Sequence, residues 1–351
     1  MADNPPNPES LRQPKKPRRC RLRYGLRGLV AFALLSAMTI GWIAIRAARQ
    51  RAAVEPILQG GGWVNYKYPI INWQSSWWES DTNPAWVGFV HRMLDDNYFG
   101  NVARATVITD GGLKRISDLD RLTDLWISAN NSNVNDRRVT DAGLKSLAGM
   151  SQLRTLTIYG NGVTDDGLKS LEGLNGLEYL SFREMRITDA GLAHLRGLNG
   201  LRSLILWKTR VSDAGLDCIT QMGQLDELSL IDCKLSDAML VHLKRLSGLR
   251  VLDLGENEIG DAALEYLKDL TNLETLVLSQ TAVSDAGLQQ LRGLPKFRYV
   301  ALRGTGITDA GLSELARFRN LQQLDLYDTR ITQTTGVANL QQALPNCQIT
   351  R

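Results

Sequence analysis

Apolar residues recur along this chain in one order, separated by short polar runs, with a period of 24 residues. Val139, Val163, Ile187, Val211, Leu235, Ile259, Val283, Ile307 and Ile331 stand at one phase of successive units. In the unit opening at Val163, Leu168, Leu171 and Leu174 are spaced by three, as on one side of a short helix or 3₁₀ stretch. Leu180 and Phe182, two apart, have the alternation of a strand. Each unit is therefore expected to hold a helical segment and then a short parallel strand, and neither half can bury its apolar side alone. Stacking supplies the partner. Leu156, Leu180, Leu204, Leu228, Leu252, Leu276, Val300 and Leu324 should form one internal column. Each buried Leu contributes roughly 1.5–3 kcal/mol. A repeat of this length and Leu content predicts a solenoid.

The polar positions repeat as well. Asp141, Asp165, Asp189, Asp213, Asp237, Asp261, Asp285 and Asp309 precede the helical segments, usually after Thr or Ser and before Ala-Gly-Leu. Short polar oxygens here are expected to cap the first free helix amides. A calcium column is the alternative, but the glycine-rich spacing of calcium β-helices is absent. A second polar column, Asn130, Asn161, Thr209, Cys233, Asn257, Thr281, Thr305 and Thr329, is expected to satisfy backbone groups where the chain leaves the strand.

This pattern resembles the leucine-rich repeat family. Its L-x-x-L-x-L-x-x-[NCT] strand motif matches Leu249 to Asn257, with Leu252 and Leu254, and Leu321 to Thr329, with Leu324 and Leu326. The resemblance covers roughly residues 102 to 349. It implies an α/β fold: a curved, right-handed solenoid with a parallel sheet on the concave face and short helices on the convex face.

An earlier unit opens at Ile108, and the next at Val139, 31 residues later. The surplus falls in Asn130–Arg138, read as a neutral surface loop rather than a specificity loop. Before these units, Val102–Val107 reads as a leading strand and Pro84–Phe99 as an amphipathic helix. Together they make a candidate N-terminal cap for the open end of the core. At the far end, Ile331 opens a unit without Asp-Ala-Gly-Leu, read as a C-terminal cap over 331–351.

Residues 28–45 are apolar and uncharged. At ~1.5 Å per residue they reach about 27 Å, close to a hydrocarbon core of about 30 Å. Eight basic residues precede them, against Arg46, Arg49 and Arg51 just after. That asymmetry favours a cytoplasmic N-terminus and repeats outside the cytoplasm, at the cell membrane. A cleaved signal peptide has a similar charge pattern. Arg46, however, interrupts the place where its cleavage site would lie, so an uncleaved signal anchor is expected. The expected organisation is a basic cytoplasmic tail (1–27), a transmembrane helix (28–45) and a juxtamembrane, aromatic-rich segment with the N-terminal cap (46–101). Leucine-rich repeats (102–330) and the C-terminal cap (331–351) follow. This layout, with Gly-Gly-Trp-Val-Asn-Tyr-Lys-Tyr at 61–68, resembles bacterial membrane-anchored leucine-rich repeat proteins.

The anchor changes the meaning of the charge. The whole chain is +4, but residues 52–351 hold 30 basic and 35 acidic residues. No basic stripe or nucleic-acid motif is visible, which argues against nucleic acid as a partner. The four cysteines suggest neither zinc nor a redox pair, and Cys218 and Cys233 fall on opposite edges of one unit. His194 and His242 share a repeat position two units apart, about 10 Å at ~4.8 Å per strand, too far to share a metal. No catalytic or phosphate-binding motif appears. Neither an enzyme nor a cofactor is expected.

Five of the eight tryptophans lie at 63–86. They are open to three roles: a cap over the first strand, a membrane-interface belt, or a carbohydrate site. On the strands, residues beside the two inward positions should face the concave surface. Trp126, Tyr159, Tyr179, Arg183, Ile205, Trp207 and Ile231 would then line adjacent rungs. Trp, Tyr and Arg are the types enriched at binding hot spots. The expected function is a membrane-anchored scaffold whose concave face recognises a protein or peptide ligand. The alternative is a structural or adhesive envelope component binding glycan or cell wall through the 63–86 stretch.

Overall fold

A computed structural model of the chain describes residues 26–59, 62–66, 102–129 and 139–351. The basic tail through residue 25, most of the aromatic stretch, the expected helix Pro84–Phe99 and the inserted loop 130–138 lie outside the described residues. Two compact units divide the chain, Met1–Arg46 and Ala47–Arg351.

In the first unit, helix α1 (Leu26–Gln59) begins. Its described large apolar side chains Met38, Trp42 and Ile45 are exposed, and the Arg46 guanidinium stands over the Trp42 ring at 5.4 Å. Among the described residues no helix is long and apolar enough to cross a membrane. The expected span 28–45 falls within α1, but most of its side chains lie outside the described residues.

Among the described residues, the second unit holds a 12-stranded sheet in which sequence order and spatial order coincide. Its first six strands are β1 (Trp63–Tyr66), β2 (Val102–Val107), β3 (Asp124–Ser128), β4 (Thr155–Tyr159), β5 (Tyr179–Arg183) and β6 (Ser203–Trp207). Then come β7 (Glu227–Ile231), β8 (Val251–Asp253), β9 (Thr275–Val277), β10 (Tyr299–Ala301), β11 (Gln323–Asp325) and β12 (Gln348–Thr350). From β2 onward every pairing is parallel, and only β1 runs antiparallel.

The register is the repeat made visible. Leu125, Leu156, Leu180, Leu204, Leu228, Leu252, Leu276, Val300 and Leu324 stand opposite one another across neighbouring strands, all almost wholly buried. One continuous apolar core runs through them and the helical Leu columns. The helical halves are short, commonly one α-turn such as Asp165–Leu168 followed by a 3₁₀ turn such as Lys169–Leu171. Spacing by three explains the 3₁₀ share, since side chains at i and i+3 eclipse in that geometry.

At the first rung, Ala53, Val54 and Ile57 of α1 are buried in the core. Gly62 then turns the chain into β1. Its N–H bonds to the Ile57 carbonyl at 2.8 Å, and a Cβ there would strike the Thr106 carbonyl. The last unit carries a ten-residue helix, Thr334–Ala343, and its strand β12 continues the parallel register on β11.

The Asp column does something other than cap its own helix. The cap is the preceding hydroxyl: Thr188 Oγ1 accepts the Ala190 N–H at 3.3 Å, and Ser284 and Thr308 do likewise. The carboxylate reaches into the next unit. Asp141 accepts both the Thr164 N–H (2.8 Å) and the Thr164 hydroxyl (2.7 Å). Asp110, Asp165, Asp189, Asp261, Asp285 and Asp309 make the equivalent pair of bonds to the following Thr or Ser. Such charge-assisted bonds are stronger than neutral ones. They staple one unit to the next.

Candidate functional site

The face of the sheet turned away from the core carries three rows of side chains. The sequence-predicted residues fall on it as follows. Tyr159, Arg183, Trp207 and Ile231 are successive neighbours in one row across β4–β7. Ile205 lies in the middle row, beside Ser181 and Ser229, and Tyr179 in the far row, beside Thr155 and Ser203. Trp126 shares the middle row but is separated from Ile205 by Thr157 and Ser181, so it stands apart and exposed on β3.

Thr157, Ser181, Ser203 and Ser229 were also expected on the surface, yet they are buried. Small polar residues thus floor the face, with Tyr179, Ile205 and the Tyr159–Ile231 row as their larger neighbours in register. Two of the floor hydroxyls are tied to walls. Ser203 donates to Glu227 at 2.7 Å, and Arg183 Nε donates to Ser181 at 3.4 Å.

Around Trp207 the side chains form a cluster. The Arg183 guanidinium lies 5.8 Å and the Lys208 ammonium 4.9 Å from the centre of the indole ring. Lys208 also pairs with Glu184 at 3.5 Å, and the Tyr159 hydroxyl donates to Glu184 at 3.2 Å. The Trp207 Nε1–H is buried without a hydrogen-bond partner, the one such side-chain atom among the described residues. An unsatisfied buried donor costs about 1–3 kcal/mol, and each specific case in a native fold calls for a reason.

Glu184 and Lys208 escaped the sequence reading. Each follows a strand directly and sits in the left-handed region, at φ 54° and 53°. Asp232, Glu256, Gln280 and Asp328 occupy the same place in later units, with Gly160 and Gly304 in two others. Non-glycine residues are uncommon there. Aligning the units on the strand would have exposed this column as a second source of surface chemistry.

The opposite edge of the sheet, where strands begin, is electrically settled. Arg154 pairs with Glu178 (3.6 Å), Arg202 with Asp226 (3.1 Å), and Glu274 with both Arg250 (2.8 Å) and Arg298 (3.5 Å). These exposed pairs add little stability, but they neutralise that edge. On the face itself Asp253 is different. Burial raises its carboxyl above the ordinary range, the Gly255 N–H opposes that, and Glu256 and Glu227 add to the rise. Tyr299 is raised in the same way, by burial and then by Asp325 and Asp253.

The turn column behaves as expected where it is buried. Asn257 accepts the Cys233 and Leu235 N–H groups and donates to the Leu230 and Leu254 carbonyls, while Thr281 and Thr305 donate to Leu278 and Leu302. Asn161 is exposed instead. Cys218, Cys233 and Cys347 are buried free thiols, and burial pushes the Cys233 thiol up. Among the described residues no group of three or more His, Cys, Asp or Glu side chains is placed to hold a metal.

Two stretches, 248–268 and 293–316, match the family model described as Leucine Rich repeat. In fold, the chain is a leucine-rich repeat solenoid. It is similar to the crystal structure of an internalin from Listeria monocytogenes, with 22% sequence identity and a TM-score of 0.51. That likeness covers 68% of this chain and 69% of the internalin chain. No curated protein matches.

Proposed function

We propose that this protein is a membrane-anchored binding scaffold that captures a protein or peptide ligand outside the cytoplasm on the outer face of β4–β7. The observation that carries the reading is the cluster at Trp207. It has an aromatic ring flanked by two cations, an unsatisfied indole donor, and walls of Tyr159, Tyr179, Ile205 and Ile231 over a floor of small hydroxyls. Large aromatics over buried small residues give contact area at low entropy cost, and Trp, Tyr and Arg are the types that dominate binding energy. Trp126 is a separate, outlying contact in this reading. The leucine-rich repeat fold supports it by supplying a preformed extended face.

Anchoring is supported by the uncharged run 28–45, the preceding basic tail, and the exposed Met38, Trp42 and Ile45 at helical spacing on α1. The test joins both halves. Proximity labelling from the repeat domain in intact cells is compared for the wild type and for the combined variant Tyr159→Ala, Arg183→Ala, Trp207→Ala. The variant should stay folded and lose the labelled ligand. An unchanged set of labelled proteins refutes the assignment of this face.

A further inference from the structure

We propose that the ligand presents an acidic peptide segment to the turn edge of β5–β7 and switches to neutral or basic residues where it reaches β8. This rests on the functional reading above and specifies the chemistry of the same face. The units in register place basic residues just beyond three consecutive strands. Arg183 ends β5 and Arg186 follows in its turn, Lys208 and Arg210 follow β6, and Lys234 follows β7. Four of these, Arg186, Lys208, Arg210 and Lys234, are exposed. Glu184 and Asp232 oppose them locally, through Lys208 at 3.5 Å and Lys234 at 2.8 Å, and Glu258 and Glu256 act on Lys234 from the next unit. Arg186 and Arg210 make no ion pair among the described residues.

One unit further the sign reverses. Asp253 on β8, with Glu256 and Glu258 in its turn and Glu227 on β7, makes no ion pair among the described residues, and only Lys234, at the boundary, acts on Glu258 and Glu256 from the basic side. Arg303, the next cation along that edge, leans away onto the Tyr327 ring at 4.8 Å. The contrast with the strand-start edge is informative, because charges there alternate and pair off.

The buried, unpartnered Trp207 Nε1–H sits beside the basic edge and is independent of these charges. A carboxylate arriving beside Trp207 meets both the Arg183 guanidinium and the Lys208 ammonium. It also competes with Glu184 for Lys208. Like charges facing across an interface cost several kcal/mol, so the acids of β8 exclude an acidic segment from continuing and thereby set the ligand's register.

The experiment uses the full chain in detergent and fluorescently labelled synthetic peptides, read by anisotropy at physiological ionic strength. One peptide has a glutamate-rich block followed by a lysine-rich block, and another has the same composition with charges alternating. The block peptide should bind at least about tenfold tighter, since clustered complementary charge is what the face rewards. Arg186→Glu with Arg210→Glu should abolish that preference, as should Glu256→Lys with Glu258→Lys. All four together bring both groups close to neutral, so the preference should be absent there too. Lys208 and Lys234 already occupy left-handed positions, so lysine at Glu256 is compatible with folding.

Equal binding of the two peptides by the wild type, or a folded four-residue variant that keeps the wild-type preference, overturns the inference. So does preferential capture of a sulfated oligosaccharide over both peptides. If these charge variants keep the ligand labelled in cells while the Tyr159, Arg183 and Trp207 variant loses it, the face binds and only the charge assignment fails. If neither set changes the labelling, both readings fail.

Discussion

The unit that opens at Val163 and the one that opens at Leu235 are built from the same pattern, yet only the first is stapled to its predecessor. In the first, Thr164 receives the Asp141 carboxylate through its amide and hydroxyl, and Gly167 lies directly beneath that carboxylate. A Cβ at Gly167 would overlap Asp141 Oδ1, and the same holds at Gly191, Gly215, Gly287 and Gly311 for the Asp of the unit before. In the second unit Met239 stands where the glycine belongs. Asp213 has no staple to Ser236. Its carboxylate instead lies 3.9 Å from His242, and the helical half is drawn into a nine-residue 3₁₀ stretch, Asp237–Arg245. One unit later Gly260 replaces the hydroxyl residue and Ala263 the glycine, and Asp237 retains a single bond, to the Gly260 amide at 2.6 Å. The glycine of Asp-Ala-Gly-Leu is thus required by a neighbour's carboxylate rather than by its own backbone.

The unstapled joint is secured from its other side. At Cys233 and Leu235, where the staple is missing, Asn257 reaches back from the following turn with its full set of donors and acceptors. No other unit combines a lost staple with a buried asparagine among the described residues. The solenoid therefore has two stapled stretches separated by a joint held at the turn edge. That joint lies under β7 and β8, where the surface charge also changes sign.

The largest expected effect comes from importing the joint into a stapled unit. Gly167→Met forces the Asp141 carboxylate away from Thr164 and overfills a close contact. Overpacking costs about 1–3 kcal/mol and an unsatisfied polar partner about as much again. Chemical denaturation should show a loss of about 2–4 kcal/mol, with amide exchange accelerating first at Thr164 and Gly167. A variant as stable as the wild type would mean that the carboxylate contact does not require glycine.

A smaller effect follows from pH, at the last staple. Hydrogen bonds from the Thr332 hydroxyl and the Gln333 amide hold the Asp309 carboxyl below its ordinary value of 3.8, with Arg351 assisting. The folded chain therefore binds this proton less readily than the unfolded chain. Stability from this group is fully present above the ordinary value and is lost as pH falls through the lowered one. Protection of the Thr332 and Gln333 amides in the wild type should decline through that acid window. In Asp309→Asn the decline should be absent, with lower protection already at neutral pH. Parallel pH profiles in the two proteins would remove Asp309 from the linkage.

Leucine columns were legible in the sequence because both partners of each contact recur at one fixed phase. The staple was not, because its acceptor and donor lie in different units. Asp141 and Thr164 are read locally as members of separate caps, and only stacking brings them together. Burial of Ser181 and Ser203 was hidden for a related reason, since strand alternation tells which face a residue takes but not whether larger neighbours in adjacent units leave it open to solvent. The aromatic part of the candidate face could be read from strand positions. Its charged part could not, because Lys208, Arg210 and Lys234 sit in turns, where polar residues are unremarkable until the units are laid side by side. The run Pro84–Phe99, read as part of the cap, lies outside the described residues, while Ala53, Val54 and Ile57, in the juxtamembrane segment beyond the apolar run 28–45, enter the core.

The smallest effect sharpens the comparison most. Met239→Gly in the Leu235 unit leaves Asp213 and Ser236 in place, and it frees the Ser236 N–H from the Met239 Sδ that accepts it at 3.5 Å. Two charge-assisted bonds can then form, worth about 1.5–3 kcal/mol each at most when shielded, and less here because Asp213 is exposed. Against this, the half-buried Met239 side chain is lost from the core edge, and glycine costs about 0.5–1 kcal/mol in a helical segment. These contributions oppose one another and nearly cancel, so overall stability should change by less than about 1 kcal/mol. The local result should still be decisive. A hydroxyl proton on Ser236 protected from exchange, and a 3₁₀ stretch shortened toward the single α-turn of Asp165–Leu168, would establish that one side chain decides whether two units are stapled. A variant that keeps Asp213 beside His242 would place the cause in the backbone of the joint instead.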